Sequence, residues 1–565
     1  MNRICSVLLV LSVTVLCPRA GIIPPERMIE WSSADYAPGV RGGIPERAKV
    51  FQTLPASASA EQINNALRIC PSNSVVELSA GVFNLDAKII LPNFVTLRGQ
   101  GTNTILKGVA GFGAKFHELV QIGNKDNDYD YSFNKGQPLH AGYTKGSTNL
   151  STPAPHGWRS GDCVLIDEMG DPRGDPPVSS TGTSGTCTWC ARENGARPVG
   201  QWIEVLSVTD GTNLTFRPPL HWNYHAARKP EGYKIPIVRD LAGVEQLRID
   251  NSVSAASDPV SFGWARNCWL KRVDVRGSVR RSVDVFGALW CEFRDCVFAE
   301  GVPATPVVSV AYGPGRAYGI FLSQATTASW IENCIFEKLS LGVSMEGATS
   351  GNVISYNYFG VIYFGDAVSG RDTIAWHGSH DKMNLVEGNY CSDKIMADDY
   401  WGTSSHNTLF RNRIFNQLGK SQMRWGLDLW NRQTYYNVVG NVFGTPGVEN
   451  IYDLRKSYSS EVSIYRLGRP DAGRDVVNEQ VVKTLLRHGN FDTVAKGARW
   501  DPTIADRVLP ASLVHAAKPS WWPSVSQVPW PPIGPDLGGA TNYHRIPAHL
   551  IHDGVPLVRD VAAPR

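Results

Sequence analysis

The chain has 565 residues, 19% of them charged and 10% aromatic, with 54 glycines and a formal net charge of +3. So small a net charge excludes a partner held by charge alone, such as nucleic acid or an anionic membrane. No apolar window beyond the amino terminus is long enough to cross a bilayer.

Residues 1–20 read as a secretory signal, with Arg3 ahead of an apolar run to Leu16 and Ala20 before an expected cleavage at Gly21. Export to the periplasm or medium, without a lipid anchor, is the expectation. Residues 21–111 hold a cap and the first coils of a repeat. Within them 57–69 opens on Ser and Glu and carries apolar residues at helical spacing, which predicts a capping helix. Short β-runs follow at 75–78, 81–85, 88–91, 95–98 and 104–107. Residues 112–240 break the rhythm. Strand-like runs at 161–168, 201–208 and 213–217 surround a Gly/Pro/Ser/Thr-rich loop at 170–200, which predicts a β-rich insertion.

Residues 241–445 repeat one phrase seven times. The second strand of each unit opens at Cys268, Cys291, Ser329, Asn352, Asn384, Asn407 and Asn437, so the steps are 23, 38, 23, 32, 23 and 30. A base period of 23 with insertions marks a solenoid whose turns are single coils. Coils stack about 4.8 Å apart, so equivalent positions form columns. Asn352, Asn384, Asn407 and Asn437, with Asn357, Asn389 and Asn412, are expected to bond one another and the backbone. Residues 446–565 form a loop-rich flank and cap, with Trp500, Trp521, Trp522 and Trp530 as its core.

Eleven cysteines less Cys5 and Cys17 of the signal leave nine. The spacing Cys187-Thr188-Trp189-Cys190 predicts a local disulfide rather than zinc, since no second pair has ligand spacing. The stacked pairs Cys268/Cys291 and Cys296/Cys334 are expected to behave as small core hydrophobes.

The runs Gln62–Leu67, Val75–Leu85 and Val95–Gly99, with the Asn-bearing coils, resemble the right-handed parallel β-helix proteins of the pectate-lyase-like superfamily. The resemblance covers roughly 57–110 and 244–445. It implies an all-β parallel β-helix. It also implies secreted polysaccharide lyases and hydrolases, with some phage tailspikes and surface proteins.

The strand before each phrase carries the chemistry. Setting Gly347, Gly378, Gly402 and Asn431 in register places Glu346, His377, Trp401 and Trp430 in one outward column. Ser344, Ala375, Asp399 and Asp428 fall in a second column on the same face. Met345, Trp376, Tyr400 and Leu429 would then point inward, as would Asp398 unless a bulge exchanges it with Asp399. His380, Arg424, Arg432 and His406 are expected at the cleft edge as substrate contacts.

Two carboxyl groups about 5 Å apart on adjacent coils suit glycoside hydrolysis. Asp399 and Asp428, with Glu346, His377 and Asp398, are therefore the catalytic candidates, and Trp401 and Trp430 offer faces for sugar rings. The polygalacturonase-type hydrolases similarly combine a lone Asp, an Asp-Asp pair and a His-Gly. Here Asp428, Asp398-Asp399 and His377-Gly378 resemble that set in reverse chain order. Hydrolysis of a polysaccharide, requiring no cofactor, is thus the favoured expectation. The alternative is β-elimination from a uronate, with His377, Arg424, Arg432 or Lys382 as base and Ca²⁺ on Glu346, Asp399 and Asp428. A second alternative is a non-catalytic glycan-binding β-helix of the tailspike or adhesin kind.

Overall fold

The structure, a computed structural model, describes residues 21–115, 117–123, 136–170, 189–235, 238–254, 256–301, 317–360, 362, 372–416, 425–456, 461–469, 477–537 and 541–557. The signal segment, Cys187 and Arg424 lie outside the described residues. Among those described, no helix is long and apolar enough to cross a membrane.

The chain folds as a right-handed parallel β-helix. Each coil contributes one short strand to each of three parallel sheets. In one run of coils the first sheet stacks Glu292–Arg294, Trp330–Glu332, Val353–Ser355, Leu385–Glu387 and Thr408–Phe410. The second stacks Val297–Ala299, Ile335–Glu337, Tyr358–Phe359 and Tyr390–Cys391. The third stacks Arg281–Phe286, Tyr318–Ser323, Leu341–Glu346, Asp372–Gly378, Ile395–Trp401, Trp425–Trp430 and Ser463–Arg469. Inward residues of all three close a continuous apolar core that includes Phe336, Met345, Trp376 and Leu429.

One left-handed residue turns the chain from the first sheet to the second. Arg272, Asp295, Asn333 and Tyr356 hold φ between +54° and +56° in successive coils. The residue after that corner is the asparagine ladder. Backbone N–H groups of Asn357, Asn389, Asn412 and Asn441 donate to the amide oxygens of Asn389, Asn412, Asn441 and Asn490 at 2.9–3.0 Å. A second ladder runs from Ser329 through Asn352 and Asn384 to Asn407 at 2.8–3.1 Å. Each side chain thus satisfies buried backbone donors that the corner removes from the strand pairing. The structural reading holds for Asn352, Asn384, Asn407, Asn357, Asn389 and Asn412, but Asn437 stands opposite Thr408 instead of Asn407 and donates to the Arg27 carbonyl and the Thr408 hydroxyl at 3.0 Å. Cys268, Cys291, Cys296 and Cys334 occupy the same rungs as buried free thiols.

The helix Ala60–Ile69 seats Ala60, Ile63 and Leu67 on the open end of the core. It starts with a capping box between Ser59 and Gln62. The coils run past residue 445, because Leu486–His488 and Asn490–Asp492 continue the first and second sheets. There Gly497–Arg499 pairs antiparallel with Asn490–Asp492. Within 112–240, Val120–Gly123 belongs to the third sheet rather than to the insertion. The described strands between 137 and 234 build a six-stranded antiparallel sheet around Cys163–Glu168 and Val199–Thr209. It docks on the solenoid through Trp202, whose indole N–H donates to the Gln324 carbonyl at 3.2 Å. Trp522 is fully buried beside Trp530 and Tyr356, inside the carboxy-terminal flank.

Candidate functional site

The third sheet shifts register between Leu429 and Trp430, where it meets Ser463–Arg469, and more widely beside His377. Trp376 pairs with Ala397, but Gly378 pairs with Trp401. His377 is therefore opposed by three residues, Asp398, Asp399 and Tyr400, a bulge of two extra residues. The alignment of Gly378 with Gly402 expected from the sequence fails here. Ala397 is the inward residue, so Asp398 emerges on the outward face beside His377, and Tyr400 is exposed rather than packed inside.

The bulge wraps the imidazole. His377 Nδ1 lies 2.6 Å from Asp398 Oδ2, and the Tyr400 ring stacks on the imidazole at 5.6 Å and 15°. The Tyr400 amide donates to Asp398 Oδ1 at 3.0 Å. One coil back stands Glu346, buried and accepting from Ser344 Oγ at 2.9 Å. Burial raises its pKa, only partly opposed by His377 and Arg281. Burial alone would lower that of His377, but Asp398 and Glu346 outweigh it and carry it to about 9. The site thus pairs an imidazole held above its ordinary pKa by Asp398 and Glu346 with a carboxyl group whose own pKa burial raises.

These groups open into a cavity of about 370 Å³. Glu346, His377, Tyr400 and Trp401 line it, together with Tyr318, one coil before Glu346, and the pair Arg280–Arg281 at the start of the third-sheet strand one coil further back. Arg281 lies over the Phe321 ring at 3.4 Å and bonds Asp284 at 2.9 Å, so its guanidinium is held in place. Arg280 is 3.6 Å from Asp258. Trp189, from the insertion, completes the wall. Among the described residues Glu346 is the one carboxyl group of the lining.

Several expected residues stand elsewhere. Asp428 pairs in register with Met396, three residues from Asp399 along the neighbouring strand, so the predicted Asp399–Asp428 pair is not formed. Its carboxylate is fully buried and held by both Nε and Nη2 of Arg466 and by the Trp430 indole at 3.0 Å. Although burial opposes it, Arg466 keeps the Asp428 pKa below its usual value. Trp430 is covered by Arg469 at 3.9 Å instead of facing the cavity. Asp399 accepts from Asn431 at 3.2 Å. With Asp428 engaged by Arg466 and Glu346 on another coil, the three acids proposed for Ca²⁺ do not meet. Among the described residues no three metal-ligating side chains gather.

His406 stacks on Tyr435 at 4.7 Å and abuts Trp222, where burial lowers its pKa to about 3. His380 and Arg432 sit at left-handed turn positions outside the lining. Arg280, Arg281, Tyr318 and Trp189 were not among the expected residues. The Arg280-Arg281 doublet opening a strand in an earlier coil was the available signal.

No protein-family profile matches the chain, and no curated protein matches it in sequence. Among solved structures it is similar to the tailspike gp61 of Pseudomonas phage phi297, at 14% identity over 72% of this chain, with a TM-score of 0.43. The chain spans 64% of that tailspike's length. It is similar to the A-module of the mannuronan C-5 epimerase AlgE6 of Azotobacter vinelandii, at 12% identity, 77% and 94% coverage and a TM-score of 0.39. An alginate lyase from Paenibacillus sp. str. FPU-7 follows, at 9% identity, 74% and 99% coverage and a TM-score of 0.35. The fold stands on the strand register described above, and the chemistry on the cavity.

Proposed function

We propose that the protein is an exported enzyme that cleaves a uronate-bearing polysaccharide by β-elimination. The observation that carries this reading is one cavity holding two arginines, an Asp-oriented histidine and two tyrosines, with a single carboxyl group. Arginine suits a carboxylate because its planar fork bonds both oxygens. Arg280 and Arg281 would hold the uronate and stabilise charge that develops on its carboxylate as the neighbouring C–H is broken. His377 bonds Asp398 through Nδ1, which leaves Nε2 as the reacting nitrogen. In its neutral form Nε2 takes the proton next to the carboxylate. The electron pair of that C–H becomes the new ring double bond, the bond to the leaving glycosidic oxygen breaks, and a hydroxyl of Tyr318 or Tyr400 returns a proton to that oxygen.

Hydrolysis is the second reading, because burial favours a protonated Glu346 as acid. Its partner would be Asp398, which already accepts from His377 and Tyr400.

The deciding experiment incubates the protein with uronate and neutral polysaccharides, with and without chelator. It follows reducing ends together with the absorbance of the conjugated unsaturated uronate. Both signals rising together on uronates alone is the expected result. Reducing ends without that absorbance would replace elimination with hydrolysis. Binding without either signal would leave a glycan-binding β-helix.

A further inference from the structure

The six-stranded insertion does more than lean on the solenoid. Its segment at 189–197 is anchored inside the insertion by Arg192, whose Nε and Nη2 bond Asp167 at 2.7 and 2.9 Å while Nη2 also bonds Glu231 at 2.8 Å. Arg197 Nε bonds the same Asp167 at 2.7 Å. From that anchor the chain reaches over the third sheet, where two contacts fix it. The Gln324 side chain donates to the Trp189 carbonyl. Cys190 is buried and disulfide-bonded, with its partner outside the described residues. The backbone of Cys190 also lies against Gly347, the residue that follows Glu346. A Cβ at Gly347 would come within 2.7 Å of the Cys190 carbonyl oxygen, so the absent side chain is what admits the segment. Gly347 has a φ of +82°, which glycine adopts freely.

These contacts aim one indole into the cavity. Trp189 stacks on Phe321 at 6.5 Å and 30°, and meets Trp401 edge-on at 5.7 Å and 79°. The two indoles make a corner, one wall from the insertion and the other from the end of the bulged strand that holds Asp398. An aromatic face in a fixed corner takes the C–H face of a sugar ring at little entropic cost, because neither wall has to be ordered on binding.

We propose that Trp189 is a specificity-determining residue, forming with Trp401 a subsite for one ring of an acidic oligosaccharide, and that Cys190 acts through it as a positioning residue. This rests on the cavity being the saccharide site, but not on the cleavage chemistry. The test therefore uses the full chain carrying His377→Ala, with the ligand checked for cleavage after each titration so that only intact ligand is scored. Its affinities for oligogalacturonate, oligomannuronate and neutral cello-oligosaccharides are measured by calorimetry.

Adding Trp189→Ala should raise the Kd of the preferred oligouronate about tenfold, the scale of losing one buried aromatic contact. The melting temperature should stay unchanged, and Trp189→Phe should recover most of the affinity. Cys190→Ser should raise the Kd in the same direction by about threefold, on the same scale of partial loss. A Kd within twofold of the parent in Trp189→Ala overturns the proposal. So does a Kd rise that Phe does not rescue and that tracks a fall in melting temperature. Tenfold losses for neutral and acidic ligands alike would overturn both the role of Trp189 in specificity and the acidic class of its ligand.

Discussion

The first two sheets and the third are made by the same coils, yet they solve different problems. At the edges of the first two, the side chains that follow each corner bond the coil above, and asparagine recurs because one amide serves both as donor and as acceptor. The third sheet carries buried acids and cations in place of amides, and its register breaks where His377 meets Asp398. Repetition secures the fold on one side of the molecule, and departure from repetition assembles a site on the other.

If this division is correct, substitutions on the two sides should separate cleanly. The largest effect belongs to His377→Ala. Turnover on the responsive uronate should fall about 10³-fold, within the range of a lost acid–base group, while the denaturation midpoint moves little. Unchanged turnover would remove His377 from the chemistry. On the same sheet but outside the cavity, Asp428→Asn should do the reverse. It leaves the Arg466 charge buried without its counter-ion and should cost about 3 kcal/mol of stability. Turnover per folded molecule should stay within about threefold of the parent, read from denaturant unfolding and from active-fraction-corrected rates. A large rate loss at full stability would restore Asp428 to the catalytic group.

The imidazole gives the next effect. Its folded-state pKa of about 9 lies above the ordinary 6.5. The stabilisation it supplies is therefore complete below pH 6.5 and lost as the pH rises through about 9. The gap is worth about 3 kcal/mol, and Asp398→Asn should flatten this slope in denaturation curves taken between those limits. Over the same range kcat/KM should climb about tenfold per pH unit and level near pH 9, because the base acts in its neutral form. A rate that falls with pH would make His377 an acid instead. The smallest effect is on the ladder side. Asn384→Ala strips the acceptor from the buried Asn352 amide and should cost about 2 kcal/mol, with no change in the pH profile of the surviving activity.

Much of the ladder side was legible in the sequence, because a side chain that must bond its counterpart one coil away recurs at a fixed offset. Asn352, Asn384 and Asn407 show this, as do Asn357, Asn389 and Asn412. The site side was legible only in part. Alternation identified Glu346 and His377 as outward neighbours. It then misplaced the next two strands, because a two-residue bulge leaves no trace in hydrophobic pattern. Tyr400 looked like a core residue for that reason, and Asp399 took the place of Asp398. Asp428 looked available because its counter-ion, Arg466, lies beyond residue 445, where the coils were expected to stop. Trp189 was invisible as a wall. It sits in a loop whose landing point depends on a missing side chain at Gly347, some 160 residues away.

The reversed strand Gly497–Arg499 bears on how the molecule avoids becoming a filament. A stack of identical rungs carries no instruction to stop, and its last parallel strand would offer the next copy of the chain the same hydrogen-bonding edge that each coil offers its neighbour. By turning back on Asn490–Asp492, the chain occupies that part of the edge with a strand of opposite polarity, whose bonding groups are spaced for a different partner. At the opposite end Ala60–Ile69 covers the core with a helix that has no free edge. The two ends of the stack are thus covered in unlike ways, one by a helix over the core and the other by a reversed strand on one of its edges.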